Sequence, residues 1–191
     1  MTLLATRYLF TVDEFDRMGE AGIFTEDDRV ELIRGEIVEM SPIGDPHINC
    51  VDRLTYLLVP PLQGRAIVRV QSPVKLFPDS EPEPDVTLLR WREDFYASER
   101  PTIADILLII EVADSSLRYD LETKLPLYAE RNIPETWVAN VVTREVTVAR
   151  DPGPQGYRDI RVLRGDDRLS PLAFPDVILT PEQLFPQAHA S

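Results

Sequence analysis

Two acids and a lysine carry the strongest chemical signal in this 191-residue chain. Asp85 follows Pro84 and opens a short apolar run, Glu111 closes the continuous apolar stretch Ile106 to Ile110, and Lys124 lies four residues after Asp120. A buried strand that delivers a carboxylate at its end, with a second acid upstream, makes a hard-oxygen site for a divalent cation. Such a pair suits Mg²⁺, with Mn²⁺ as its substitute, because Mg²⁺ keeps several waters and completes its shell with substrate phosphate oxygens. An ion held there polarises a phosphodiester and lowers the pKa of an attacking water. Lys124 shares a helix face with Asp120. That carboxylate can hold the ammonium while it orients the water or meets charge developing on phosphorus.

Three further residues are candidates for a supporting role: Glu31 on a strand, His47 at the start of a helix, and Gln71 just before Ser72-Pro73. Each candidate also has a plain structural reading. Pro-Asp is a common turn dipeptide, and Lys124 can pair with Asp120 on a solvated helix face. Strand glutamates usually face solvent, and a first-turn histidine more often caps or packs than binds metal. Glu111 is the hardest to explain structurally, since carboxylates are rarely buried unpaired. Ser115-Ser116 reads as a helix cap, because no Gly-x-Ser-x-Gly elbow accompanies it. Cys50 reads as core and His189 as part of a C-terminal tail.

The elements that must position these residues follow from periodicity. Thr11-Val-Asp-Glu14 is a capping box that starts a helix over about 12 to 20. Alternation from Arg29 to Met40 around Gly35 predicts a β-hairpin. A second helix starts after Asp45, with Pro46 in its first turn and Ile48, Val51, Leu54, Thr55 and Leu58 on one face, and ends at Pro60-Pro61. Strands are expected at 66–70, 74–77, 85–89 and, most hydrophobic of all, 103–112. A helix over 117–131 follows, with Pro126 kinking it or lying in its first turn. A hairpin of 135–142 and 145–150, a strand at 156–163 and a capped turn at 180–185 complete the chain. This order predicts a single α/β domain over residues 1–191 with a mixed sheet flanked by helices, preceded by an N-terminal helix and hairpin.

Composition sets the limits. An apolar content of 43% and a charged content of 28% are those of a folded domain. No run approaches the roughly 20 apolar residues of a membrane span. The N-terminus lacks a basic segment followed by a long apolar one, so no signal peptide is expected and the expected compartment is the cytoplasm. One cysteine excludes an internal disulfide framework and a Cys-rich zinc site. Neither Gly-x-Gly-x-x-Gly nor Gly-Lys-Ser/Thr occurs, which excludes the usual dinucleotide and P-loop sites. A net charge of −13 opposes tight unaided binding to DNA, although Arg65, Arg69, Lys75, Arg90 and Arg92 can make a local basic surface.

Several segments together resemble a known family. They are Glu31-Leu-Ile-Arg-Gly-Glu-Ile-Val-Glu-Met-Ser-Pro42, His47, Gln71-Ser-Pro-Val74, Glu83-Pro-Asp85, Ile110-Glu-Val-Ala-Asp-Ser-Ser-Leu117, Tyr119-Asp120, Lys124-Leu-Pro-Leu-Tyr128 and Ile133-Pro-Glu-Thr-Trp137. They are similar to the restriction endonuclease family formerly filed as domain of unknown function 820, within the PD-(D/E)xK nuclease superfamily. The resemblance spans about residues 10 to 185. It implies a restriction-endonuclease-like mixed-sheet core over about 25–165. It also implies that Asp85 is the motif aspartate, Glu111 the second acid and Glu31 an additional metal-holding acid. Where many relatives carry lysine two positions after the second acid, this chain has Ala113; the resemblance implies that Lys124 takes that lysine's place.

The expected function is therefore a Mg²⁺-dependent endonuclease acting on DNA, as a homodimer, because two symmetric sites most simply cut two strands. Two alternatives stand beside it. One is a nuclease-fold protein without activity that binds nucleic acid or a protein partner, suggested by the charge and by Ala113. The other is a metal-dependent hydrolase of a different phosphoester.

Overall fold

The computed structural model describes residues 6–25 and 27–185; His189 lies outside them. The chain divides into two compact units, Met1–Ser41 with Pro73–Glu83, and Pro42–Ser72 with Pro84–Ser191.

In the first unit, α1 (Val12–Glu20) starts at Thr11, whose N–H donates to Glu14 Oε2 at 2.9 Å while the Thr11 hydroxyl accepts the Glu14 N–H. Strands β1 (Val30–Ile33) and β2 (Glu36–Glu39) form the predicted hairpin. Its turn, Arg34-Gly35, has φ of 51° and 80°. Gly35 is required there, since a Cβ would lie 2.6 Å from Leu9 Cβ. The strand expected at 74–77 is absent: Leu76 makes only an isolated bridge to Ser80, and Val74 N–H donates to the Pro82 carbonyl. Pro73, Pro78, Pro82 and Pro84 remove the donors a ladder would need.

The second unit is built on a six-stranded sheet in the order β3-β4-β5-β6-β7-β8. These strands are β3 (Ala66–Val70), β4 (Val86–Arg90), β5 (Ile106–Ala113), β6 (Glu135–Asn140), β7 (Glu145–Gly153) and β8 (Gly156–Arg164). Only β5 and β6 pair in parallel; every other neighbouring pair is antiparallel. Helix α2 (Asp45–Leu62) packs on β3, β4 and β5, with Cys50, Leu54, Leu58 and Leu62 meeting Leu108, Ile110 and Val112 in the main apolar core. Helix α2 runs through Pro60 and Pro61 to Leu62, which is fully buried in the main core. Ile48, expected on its apolar face, is 45% exposed. Strand β5 starts at Ile106 rather than Ile103. Thr102 caps a 3₁₀ turn over Ile103–Asp105, its N–H and hydroxyl both donating to Asp105 Oδ2 at 2.8 Å.

The helix expected over 117–131 is three pieces: α3 (Leu117–Tyr119), a π-helical turn (Asp120–Lys124) and α4 (Leu125–Glu130), with Pro126 in the first turn of α4. Helix α4 contacts β7 and β8, and Leu127, Tyr128 and Ala129 are fully buried. A short α5 (Pro181–Leu184) ends the described chain.

Candidate active site

Register brings the two acids together. Val86 of β4 pairs with Ile110 of β5, so continuing that ladder by one residue sets Asp85 opposite Glu111. Side chains directly opposite in an antiparallel pair share a face, with Cβ atoms about 4.5–5.5 Å apart. Asp85 is pinned at this point by two contacts. Its Oδ2 accepts the Val112 backbone N–H at 2.8 Å, and its Oδ1 lies 2.9 Å from His47 Nε2. His47 reaches it from the first turn of α2, where Pro46 pre-sets the helical backbone. The histidine's other nitrogen, Nδ1, is buried without a hydrogen-bond partner.

Glu111 is only 3% exposed. Its Oε1 receives two contacts: Tyr128 Oη–H donates at 2.5 Å, and Lys124 Nζ lies 3.4 Å away. The interrupted helix supplies both groups. Asp120, Lys124 and Tyr128 recur every four residues, and the π turn carries the first two into the protein, where both are buried. Single π turns inside helices are frequent at functional sites. Lys124 also sits 6.0 Å from the centre of the Tyr119 ring. Ser116 Oγ–H donates to Asp120 Oδ2 at 2.6 Å, so this serine is a helix-start partner of Asp120 and not a nucleophile.

Burial pushes the Glu111 carboxyl well above the usual carboxylate range, and the charges of Asp120 and Asp85 push the same way. The Lys124 ammonium and the Tyr128 hydroxyl oppose that rise. The site thus crowds carboxylates around one buried amine, a surroundings that favours a proton or a cation at Glu111.

Gln71 approaches Asp85 through its backbone, N–H to the Asp85 carbonyl at 3.0 Å, while its side chain is exposed. Glu31 lies in the first unit, where it is 2% exposed and accepts the Glu83 N–H at 3.3 Å; it is buried rather than solvent-facing. Tyr128 was not singled out by sequence, although its position four residues after Lys124 places a hydroxyl on the same helix face. The His47–Asp85 contact had no local signal, because the two residues meet only through the fold.

Among the described residues no group of three or more His, Cys, Asp or Glu side chains is arranged to hold a metal ion. The donor set at Asp85 and Glu111 is two hard carboxylates. It fits an ion that takes few protein ligands and fills its remaining positions with water and substrate, as Mg²⁺ does.

A six-stranded mixed sheet flanked by helices is a restriction-endonuclease-like architecture. The chain belongs to the Uma2 family, described as "Putative restriction endonuclease", whose model matches residues 12–182. The fold is shared with a crystal structure from Anabaena variabilis described as a "putative nuclease" of domain of unknown function 820. That match has a TM-score of 0.67 and 19% identity, covering 92% of this chain and 97% of the other. No curated protein matches. No helix among the described residues is long and apolar enough to cross a membrane.

Proposed function

We propose that this protein is a divalent-metal-dependent DNA endonuclease, using Mg²⁺ or Mn²⁺ and acting as a homodimer in the cytoplasm. The observation that carries the reading is the juxtaposition of Asp85 and Glu111 across β4–β5 with Lys124 Nζ 3.4 Å from Glu111. Asp85 and Glu111 would hold the ion. When bound, it would supply Lewis acidity toward a phosphodiester oxygen and lower the pKa of water. Membership of the Uma2 family supports a nucleic-acid substrate.

The chain's own residues divide the remaining work. His47 and the Val112 N–H fix the Asp85 carboxylate, so it meets an ion without first reorganising. Tyr128 and Lys124 both engage Glu111 Oε1 and hold that carboxylate in place. Lys124, buried beside Glu111, would donate to the attacking water or to a phosphate oxygen as charge develops. A single donor of that kind is worth about 10²–10³ in rate.

The test is supercoiled-plasmid nicking with Mg²⁺ or Mn²⁺ by wild type, Asp85→Asn, Glu111→Gln and Lys124→Met, with Mn²⁺ binding followed by calorimetry. Wild type should nick and bind Mn²⁺. The two acid variants should lose both, and Lys124→Met should retain binding while its rate falls by about 10²–10³. Equal nicking by all four proteins would refute the site. Wild type that binds Mn²⁺ but does not cut DNA would point to another phosphoester. Failure to bind Mn²⁺ at all would favour a binding protein on a nuclease fold, the reading to which the net charge of −13 and Ala113 also incline.

A further inference from the structure

Strand β8 ends the six-stranded sheet, and no strand among the described residues pairs with its outer edge. Long open edges invite pairing, and proteins commonly guard them with charge. Here the strand is 9 residues long and carries Ile160 and Val162, which are 52% and 48% exposed on one face. On the opposite face Arg161 clasps Asp159 with two bonds, Nε to Oδ1 at 2.9 Å and Nη2 to Oδ2 at 3.1 Å.

From this pattern we propose that β8 is the surface that joins two copies of this chain, by antiparallel pairing about a two-fold axis at Ile160. The proposal deepens the dimer reading above, because it names the partner surface. Ile160 is the midpoint of Gly156–Arg164, so in this register the whole strand overlaps its symmetry mate. Asp159 then faces Arg161 of the second copy, and Arg161 faces its Asp159, while Ile160 meets Ile160. A C₂ contact of this kind is isologous and needs such self-complementarity.

The same charges reject the alternatives. Moving the two-fold axis to Arg158, Asp159 or Arg161 sets that residue against its own copy, and an axis at Val162 shortens the overlap to Ile160–Arg164. Like charges directly opposite are destabilising. Charge and overlap together thus select the register centred on Ile160. Val162 falls opposite Arg158, whose aliphatic stem can cover it.

The experiment is light-scattering mass measurement on the full chain across a concentration range, for wild type, Asp159→Arg, Arg161→Asp and the double exchange Asp159→Arg/Arg161→Asp. The expected result is a dimeric wild type, monomers for both single variants, and a dimer again for the double exchange. Circular dichroism checks that each variant is folded. An independent arm places a cysteine by Ile160→Cys and treats it with a short bismaleimide. A cross-linked dimer is expected, with no cross-linking of wild type, whose only cysteine, Cys50, is buried. A dimeric wild type that ignores both reversals and gives no Ile160→Cys cross-link would overturn β8 as the interface and leave the dimer reading standing. A wild type that stays monomeric throughout would overturn both.

Discussion

Replacing Lys124 by Met should destabilise the fold in a pH-dependent way, and both the size and the sign of that effect follow from the site. Lys124 and Glu111 are each almost fully buried, with Nζ and Oε1 3.4 Å apart. At an effective dielectric of 20 their attraction is about 5 kcal/mol. Removing one member of such a pair typically costs about 3–5 kcal/mol, since the other charge is left buried without compensation. Methionine keeps nearly the same length and apolar stem, so little of the loss comes from a cavity. In a protein of this size that penalty lowers the melting temperature by roughly 6–20 °C.

The pH dependence separates an electrostatic cause from a packing one. The folded-state pKa of Glu111 is raised, chiefly by burial and further by Asp120 and Asp85. A raised carboxyl contributes stability that is complete below the unfolded value of about 4.3 and is lost as pH rises through the folded value. Without Lys124 the folded value rises further, so the variant should suffer most at pH 8 and recover towards wild type as pH falls to 5. Urea denaturation followed by tryptophan fluorescence at pH 5 and pH 8 measures this, with fully buried Trp137 as the reporter. Adding Glu111→Gln to Lys124→Met should restore part of the loss at pH 8, which a double-mutant cycle reads as coupling of a few kcal/mol. A Lys124→Met penalty below about 1 kcal/mol at pH 8, or one equal at both pH values, would refute a buried charge pair.

Two further outcomes are expected. Tyr128→Phe removes the 2.5 Å bond to Glu111 while keeping the ring, so it should cost about 1–3 kcal/mol in urea denaturation and weaken Mn²⁺ binding measured by calorimetry. Burial, and secondarily the Asp85 charge, pushes the Cys50 thiol up to about 12. The native protein should therefore not react with a thiol reagent at pH 8, and should release one equivalent on unfolding.

What the sequence disclosed, and what it did not, divides along local and non-local lines. The run from Ile106 to Ile110 announces a buried strand, and an acid at its end has few structural uses, so Glu111 was legible. Lys124 was legible through its spacing from Asp120. The strand expected at 74–77 failed because alternation was satisfied while the surrounding prolines withheld donors. Ile48 failed because a helix that starts at Asp45 exposes part of its first turn, whatever its apolar content. The π turn is invisible to a period of 3.6, and with it the route by which Lys124 and Tyr128 converge on one oxygen of Glu111.

The charge of −13, which seems to forbid a nucleic-acid enzyme, acquires a different sense once the positions are known. Ion pairs engage some of the acids, Asp94 with Arg92, Asp176 with Arg65, Glu135 with Arg150 and Glu182 with Arg144, but the net excess stands. Where β4 meets β5, the charges of Asp120 and Asp85 add to burial in raising the Glu111 carboxyl, against the opposing charge of Lys124. An excess of negative charge repels phosphates only until a divalent ion enters. On the proposed function, the feature that weakens unaided affinity for DNA would make binding conditional on metal. On that reading Lys124 supplies one positive charge beside Glu111, where a divalent ion would bring two.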